Sequence, residues 1–343
     1  MSNGLTRCTV SFHPRASARV AVLRVLLSAT WIVVWIPLAD AQAPAAPIIA
    51  APAPSVTSTN LPYRIERFRD AGPIAGVVAR IDLSDPRVSL VIALADPRDP
   101  DGDGPCVGQL DTTSAAAKRL GLALAVNASF FAAPIERTVM DRKVRYYVGS
   151  CTYPVGWHVS EGRVVSKPSG ARMRAALLVD TDGNATIAES VTNVPPNTRY
   201  AVSGNALVLK AGQIVATDAA GARHPRTVVG LSEDRKTLWL VVVDGRQDGH
   251  SRGASMLELG ELLKKLGAHD ALNVDGGGST AMVVKDLRTG THGIANQVSE
   301  LSTTGEGVRM ERPVADVIGI KLRDMPPVSK PDASPATVPS QPQ

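Results

Sequence analysis

Leu238-Trp239-Leu240-Val241-Val242-Val243 runs straight into Asp244-Gly245-Arg246, and Ala271-Leu272-Asn273-Val274 runs into Asp275-Gly276-Gly277-Gly278-Ser279-Thr280. Each is a largely apolar stretch of strand length that ends on an aspartate and a glycine. Between them, Ser255-Met256-Leu257-Glu258 forms a capping box: the serine accepts at the start of a helix and the glutamate reaches back from three residues on. Apolar residues at 256, 259, 262, 263 and 266 mark one face of that helix, and Gly267 is suited to ending it in a left-handed conformation. Strand, helix and strand in this order predict a βαβ unit with parallel strands and a right-handed crossover. The carboxyl ends of both strands then share one sheet edge, about 4.8 Å apart if the strands are immediate neighbours. Asp244, Arg246 and Asp275 are thereby expected to converge where α/β sheets bind ligands.

The glycine run narrows the chemistry. Glycines let backbone N–H groups approach a ligand, which favours anions. Gly276 to Ala281 also fits G-x-G-x-x-A, but a dinucleotide site needs a helix directly after the glycines. Met282-Val283-Val284-Lys285 reads as a strand instead, followed by a turn at Arg288-Thr289-Gly290. No Gly-Lys-Ser/Thr follows, so a Walker loop is excluded as well. Upstream, Arg223-His224-Pro225-Arg226-Thr227 precedes an apolar strand at 228–231, and Ser203-Gly204-Asn205 precedes another at 206–209. Arginine suits two-pronged binding of phosphate. Nearer the N-terminus, strands are expected at 76–81, 88–94 and 122–126, the last ending at Asn127, with a helix over 113–120 stopped by Gly121. The expected fold is α+β: a curved mixed β-sheet core with flanking helices, containing at least one βαβ unit.

The ends of the chain read differently. Arg15, Arg19 and Arg24 precede an apolar run over 25–36, and Ala39-Asp40-Ala41 offers a cleavage site. Residues 1–41 are read as a secretory signal peptide, 42–60 as an Ala/Pro-rich linker, 61–323 as the folded domain and 324–343 as a Pro-rich disordered tail. The apolar run is too short for a spanning helix, so no stable membrane span is expected after cleavage. The sequence pI of about 9.2 owes part of its height to the leader and gives no reason to invoke nucleic acid. Cys8 lies in the leader, which leaves Cys106 and Cys151 as an even pair in an oxidising compartment, periplasmic or extracellular. A disulfide between them is expected, two free buried thiols being the other reading. Asp99, Asp101, Asp103 and Gly104 imitate the start of a calcium loop, yet position twelve would be Leu110, so a solvated acidic turn is the better reading. Structural calcium is thus the sole cofactor candidate, and no metal-ligand spacing involves the histidines or cysteines.

His224-Pro225-Arg226-Thr227, Asp244-Gly245-Arg246, the helix at 255–266, Leu272 to Ser279 and Glu311-Arg312-Pro313-Val314-Ala315 occur in one order. That series resembles the phosphodiester glycosidases, the family of N-acetylglucosamine-1-phosphodiester alpha-N-acetylglucosaminidase, over about 63–322. Two places depart from the family: Asn127-Ala128-Ser129 stands where Asn-Gly-Gly is usual, and Gly204-Asn205-Ala206 where Gly-Gly-Pro is common. The resemblance implies a hydrolase that cleaves a sugar, GlcNAc-like, from a sugar-1-phosphodiester of an envelope glycan or exopolysaccharide. Asp275 is expected to act as nucleophile or general base. Asp244 is expected to assist or to contact sugar hydroxyls, and the two aspartates can exchange places. Arg226 and Arg246 would bind phosphate, with Thr227 and Asn273 beside them, and the backbone of Gly276, Gly277, Gly278 and Ser279 would cradle it. Asn127 and Asn205 would hydrogen-bond the sugar. Two other readings stay open: a non-catalytic polysaccharide-binding module on the same fold, and a metal-dependent phosphodiesterase.

Overall fold

Three antiparallel sheets share one apolar interior. The computed structural model describes residues 61–70, 73–98, 106–139, 141–170, 172–217, 221–302 and 307–323. The expected signal segment, linker and tail, and the acidic loop from Asp99 to Gly104, lie outside these residues. The first sheet has seven strands, in the order Tyr63–Asp70, Ile74–Asp82, Thr237–Val243, Arg226–Leu231, Asp270–Asn273, Ala206–Lys210 and Gln213–Ile214. The second runs Arg163–Ser166, His158–Ser160, Thr198–Gly204, Ala175–Asp180 and Ala185–Ala188. The third runs His292–Ile294, Met282–Lys285, Leu124–Asn127, Asp316–Leu322 and Val88–Leu94.

Side-chain alternation sorts each strand between two faces. In Thr237–Val243, Leu238, Leu240 and Val242 point into the shared interior, where they meet Ile92, Val126, Leu177 and Ile318. Trp239, Val241 and Val243 point outward and are covered by Leu259 and Leu263 of the helix Met256–Leu266. The third sheet repeats the device: Ile318 and Ile320 face the interior, while Val317 faces Ala116 and Ala117 of the helix Thr113–Leu120. The terminal signals read from sequence, the Ser255 capping box and the glycines at 121 and 267, are present, and the structure adds a cap at Thr112. Ser255 and Glu258 make both capping-box bonds, and Gly267 adopts φ 90°. Thr112 caps the other helix, which Gly121 ends at φ 67°.

The α+β expectation is overturned. The fold is mostly β, spread over several sheets, and has only two α-helices among the described residues. Every strand pairing among those residues is antiparallel, so no βαβ unit of adjacent parallel strands forms. Arg226–Leu231 inserts between Thr237–Val243 and Asp270–Asn273 and is antiparallel to both. The reason is local. Residues 226–231 and 237–243 are joined by Ser232-Glu233-Asp234-Arg235-Lys236, whose turn is closed by Ser232 N–H to Thr237 O at 3.0 Å and by Arg235 at φ 60°. A hairpin closes at far lower loop entropy than a crossover. The two flanking strands still run parallel to each other, so their carboxyl ends share an edge, two strand spacings or roughly 10 Å apart.

Cys106 and Cys151 are joined, with Cα atoms 5.4 Å apart and a sequence separation of 45. The bridge ties the Cys106 segment to the strand Cys151–Pro154, which also pairs with Phe131–Ala132. In the chain-entropy description a loop of this size contributes about 4 kcal/mol. Reduction is therefore expected to move the urea midpoint down markedly, measured with and without dithiothreitol. An unchanged midpoint, with thiol titration proving reduction, would contradict it.

Candidate active site

Asp275 sits just past the buried strand Asp270–Asn273, where the chain leaves the sheet. Its backbone is clamped from the third sheet: Asp275 N–H donates to Ala128 O at 2.9 Å, and Asn127 Nδ2 donates to Asp275 O at 2.6 Å. Asn127 Oδ1 in turn accepts from Thr227 Oγ1 at 2.7 Å and from Ala281 N–H at 3.3 Å. Asn127 and Thr227 are wholly buried. Asn127 and Thr227, expected to contact ligand, thus make bonds that hold the Asp275 loop to the sheet edge. The Asp275 carboxyl is only partly exposed, and burial raises its pKa to about 6. The nearby Asp316 carboxylate adds to the rise. The Ser279 hydroxyl, the Gly276 N–H (2.9 Å from Oδ1) and the Arg312 guanidinium oppose it.

The glycine turn is less bare than its sequence implied. Gly276 N–H serves Asp275, Gly277 N–H donates to Pro225 O at 2.8 Å, and Ser279 N–H donates to Gly276 O at 3.2 Å. Gly278 alone in this turn offers an N–H without a protein acceptor among the described residues. Gly277 suits its φ of +62°, and a Cβ on Gly278 would displace the ends of the Glu300 and Arg312 side chains, 2.1 Å from Glu300 Oε2 and 2.4 Å from Arg312 Cζ. Besides the Ser279 hydroxyl, which is directed to the Asp275 carboxyl, three buried polar atoms of this region lack a hydrogen-bond partner among the described residues: Asn273 Oδ1, Thr280 Oγ1 and Arg312 Nε. Buried polar atoms are nearly always satisfied in native proteins, so such a concentration marks a place where a polar ligand or water belongs.

The remaining expected residues fall into two groups. Arg226 and Arg246 flank the turn. The Arg246 guanidinium lies against Gly277, with NH2 3.2 Å from where a Cβ would stand, and Arg226 Nε donates to Ala254 O at 3.1 Å. Asn205 is exposed, its Oδ1 held by Asn273 Nδ2 at 2.8 Å, and it lines a 650 Å³ groove with Arg172, Arg174, Glu189 and Leu207. Asn273 is otherwise buried and also donates to Val274 O at 3.0 Å. Asp244 has its carboxylate committed to protein donors. It is 3% exposed, and both oxygens are engaged: Oδ1 with Asn296 Nδ2 and Gln297 N–H, each at 3.0 Å, and Oδ2 with His250 Nε2 at 2.8 Å. Arg69 sits 3.2 Å from His250 Nδ1 and can only donate, so Nε2 carries the hydrogen. Burial raises the Asp244 pKa against the pull of these donors.

Several residues of the site had no assigned role in sequence. Arg312 pairs with Glu300 at 2.7 Å and lies over the Tyr146 ring, 4.5 Å from its centroid. Glu311 turns away, accepting from Ser114 N–H at 2.8 Å at the start of a helix. Asp316 is fully buried and accepts from Ser129 N–H, Ser129 Oγ and His158 Nδ1 at 2.8, 2.6 and 2.7 Å. A signal for Asp316 did exist: an aspartate opening the apolar run Val317-Ile318-Gly319-Ile320 has the composition of the Asp244 and Asp275 strands in reverse. His158 had none, since its partner lies 158 residues away. Among the described residues, no three His, Cys, Asp or Glu side chains form a ligand set for a metal.

Comparison with known proteins places this geometry. The family model for phosphodiester glycosidases matches residues 121–321. The catalytic domain of zebrafish N-acetylglucosamine-1-phosphodiester alpha-N-acetylglucosaminidase, auto-inhibited by its pro-peptide, has a similar structure. Identity is 20%, coverage is 78% of this chain and 85% of that one, and the TM-score is 0.57, a likeness in fold. A hypothetical protein from Synechocystis is similar at 15% identity, covering 76% of this chain and 62% of that one, TM-score 0.49. A putative exported protein from Burkholderia pseudomallei is similar at 19% identity, covering 72% and 74%, TM-score 0.47. No curated protein matches.

Proposed function

From the premise that this chain belongs to the phosphodiester glycosidase family, we propose that it is an exported hydrolase that releases a GlcNAc-like sugar from a sugar-1-phosphodiester of an envelope glycan or exopolysaccharide. The observation that carries the reading is the carboxyl of Asp275, with its pKa near 6, in a region that holds three unpartnered buried polar atoms. A carboxyl of that pKa is mostly ionised at pH 7, yet it remains basic enough to accept a proton. It acts as nucleophile at the anomeric carbon or as the base that deprotonates the attacking water. Phosphate is a good leaving group, so the site has less need of a strong general acid than ordinary glycosidases have. What it must supply is stabilisation of charge on the sugar and on the departing phosphate. Arg226 and Arg246 are the phosphate ligands, and Gly278 N–H adds one backbone donor. Asn205 contacts the sugar from the adjoining groove. Asn127, Thr227 and Asn273 keep the Asp275 loop in place.

The test is incubation of the purified protein with a GlcNAc-1-phosphodiester in 18O-labelled water. Free GlcNAc carrying the label is expected, because the C1–O bond breaks. Label in the phosphate would instead identify a phosphodiesterase cutting P–O. No release from a panel of sugar-1-phosphodiesters, alongside measurable glycan binding, would make the protein a binding module.

A further inference from the structure

Three backbone segments meet at the edge of the first sheet. The Gly277 N–H bond to Pro225 O locks His224-Pro225-Arg226 onto the glycine turn. His224 and Ala254 exchange two backbone hydrogen bonds, of 3.3 and 3.0 Å, which fix the start of the same segment. Arg246 comes over Gly277 from the end of the strand Thr237–Val243. The His224 imidazole is half-buried at this junction, within electrostatic reach of the Arg226 and Arg246 guanidiniums. Its ring makes no hydrogen bond among the described residues. Of the other charged groups nearby, Arg223 is turned to Glu258 at 2.5 Å. Burial, then the two arginines, hold the His224 pKa below the usual histidine value, so the ring is neutral at pH 7 in the free protein.

The proposed reaction changes the charge that this cluster must hold. A phosphodiester carries one negative charge. When C1–O breaks, the bonding pair stays on the phosphate oxygen, and water supplies the new bond to C1, directly or after a glycosyl-enzyme intermediate. The product is a phosphomonoester, whose second ionisation falls near pH 6, and the attacking water releases one proton. Two fixed guanidiniums suit the diester. A third cation that appears only as the second charge develops favours the transition state over the bound substrate.

We propose that His224 is that third group: it contacts the departing phosphate oxygen and becomes protonated as diester turns into monoester. The proton it gains balances the one released from water. The proposal rests on the phosphate-site reading of Arg226 and Arg246, and it makes His224 a catalytic residue whose charge state follows the reaction.

Calorimetry of the purified full-length protein tests it with two probes, methyl phosphate and dimethyl phosphate, at pH 7 in two buffers of different ionisation enthalpy. The wild type is expected to bind methyl phosphate about tenfold more tightly, a difference of about 1.4 kcal/mol, and to take up protons on doing so. His224→Gln, and His224→Asn as a second variant with its folding checked by circular dichroism, are expected to lose the monoester preference and the proton uptake. Uptake or preference that persists in both folded variants overturns the role of His224 while leaving the phosphate site standing. If the folded wild type binds neither ester, the phosphate-site reading falls, and this proposal falls with it.

Discussion

Asp275→Asn is expected to be inactive and more stable than the wild type at neutral pH. The activity loss should be on the order of 10³-fold in kcat, the scale of removing a positioned base or nucleophile. The stability gain follows from the sign of the pKa shift. Burial raises the folded-state pKa of Asp275 from 3.8 to about 6, so the folded protein holds this proton more tightly than the unfolded chain does. Stability attributable to this group is therefore greatest below pH 3.8 and declines as pH rises through 6. Above that, the native state carries a charge it would hold better in water. Two pKa units correspond to about 3 kcal/mol as a ceiling, and partial exposure of the carboxyl brings the expected gain to about 1–2 kcal/mol. Asparagine keeps an oxygen for the Gly276 N–H and removes the charge. Thermal melts of both proteins at pH 4.0, 5.5 and 7.5 should nearly coincide at the lowest pH and separate as pH rises. The wild-type kcat/KM should show an acid limb near pH 6. A folded variant with near-normal turnover would end the assignment, and a gap in Tm that does not widen with pH would end the account of the buried charge.

Local signals explain what the sequence revealed, and non-local pairing explains what it hid. Both helices were legible because their end signals, Gly121 for one and Ser255 with Gly267 for the other, are set by neighbours within a turn. The sheet architecture was not. Leu238 to Val243 is apolar at every position, a pattern typical of parallel strands buried on both faces. Here the strand is antiparallel, and its second face is covered by Leu259 and Leu263 of a helix that packs back on the same sheet. Composition reports that both faces are buried and says nothing of strand direction. The site divides in the same way. The turn from Asp275 to Ser279 stood out because its chemistry is contiguous. Asn127, expected at the sugar, holds the Asp275 carbonyl, and a polar residue at a strand end looks the same in sequence whether it binds ligand or backbone. Arg312, Asp316 and His158 come to the site from far along the chain, and only the fold brings them together.

Asp244 offers the sharpest contrast with Asp275, although both end apolar strands at one sheet edge. Asp275 lies in a region that holds unpartnered atoms, whereas Asp244 has both oxygens committed to His250, Asn296 and Gln297. Asn296 also donates to Thr280 O at 3.3 Å, so the Asp244 carboxylate ties the loop after the glycine turn to the end of Thr237–Val243. Asp244→Ala strands the buried Asn296 amide, the half-buried His250 ring and the Gln297 N–H, and the expected cost is about 3 kcal/mol, the low end of the range found when one member of a buried charged network is removed. Asp244→Asn keeps one carbonyl oxygen for Asn296 and Gln297 and loses chiefly the bond from His250, so its cost is smaller. Urea unfolding of the three proteins should place Asp244→Asn between the wild type and Asp244→Ala. Assayed well below its unfolding transition, Asp244→Asn should keep kcat within roughly tenfold of the wild type, because an oxygen held by protein donors is not available to a substrate. The opposite pattern, unchanged stability with a kcat loss as deep as that of Asp275→Asn, would move Asp244 into the catalytic pair and return the displacement to two cooperating aspartates.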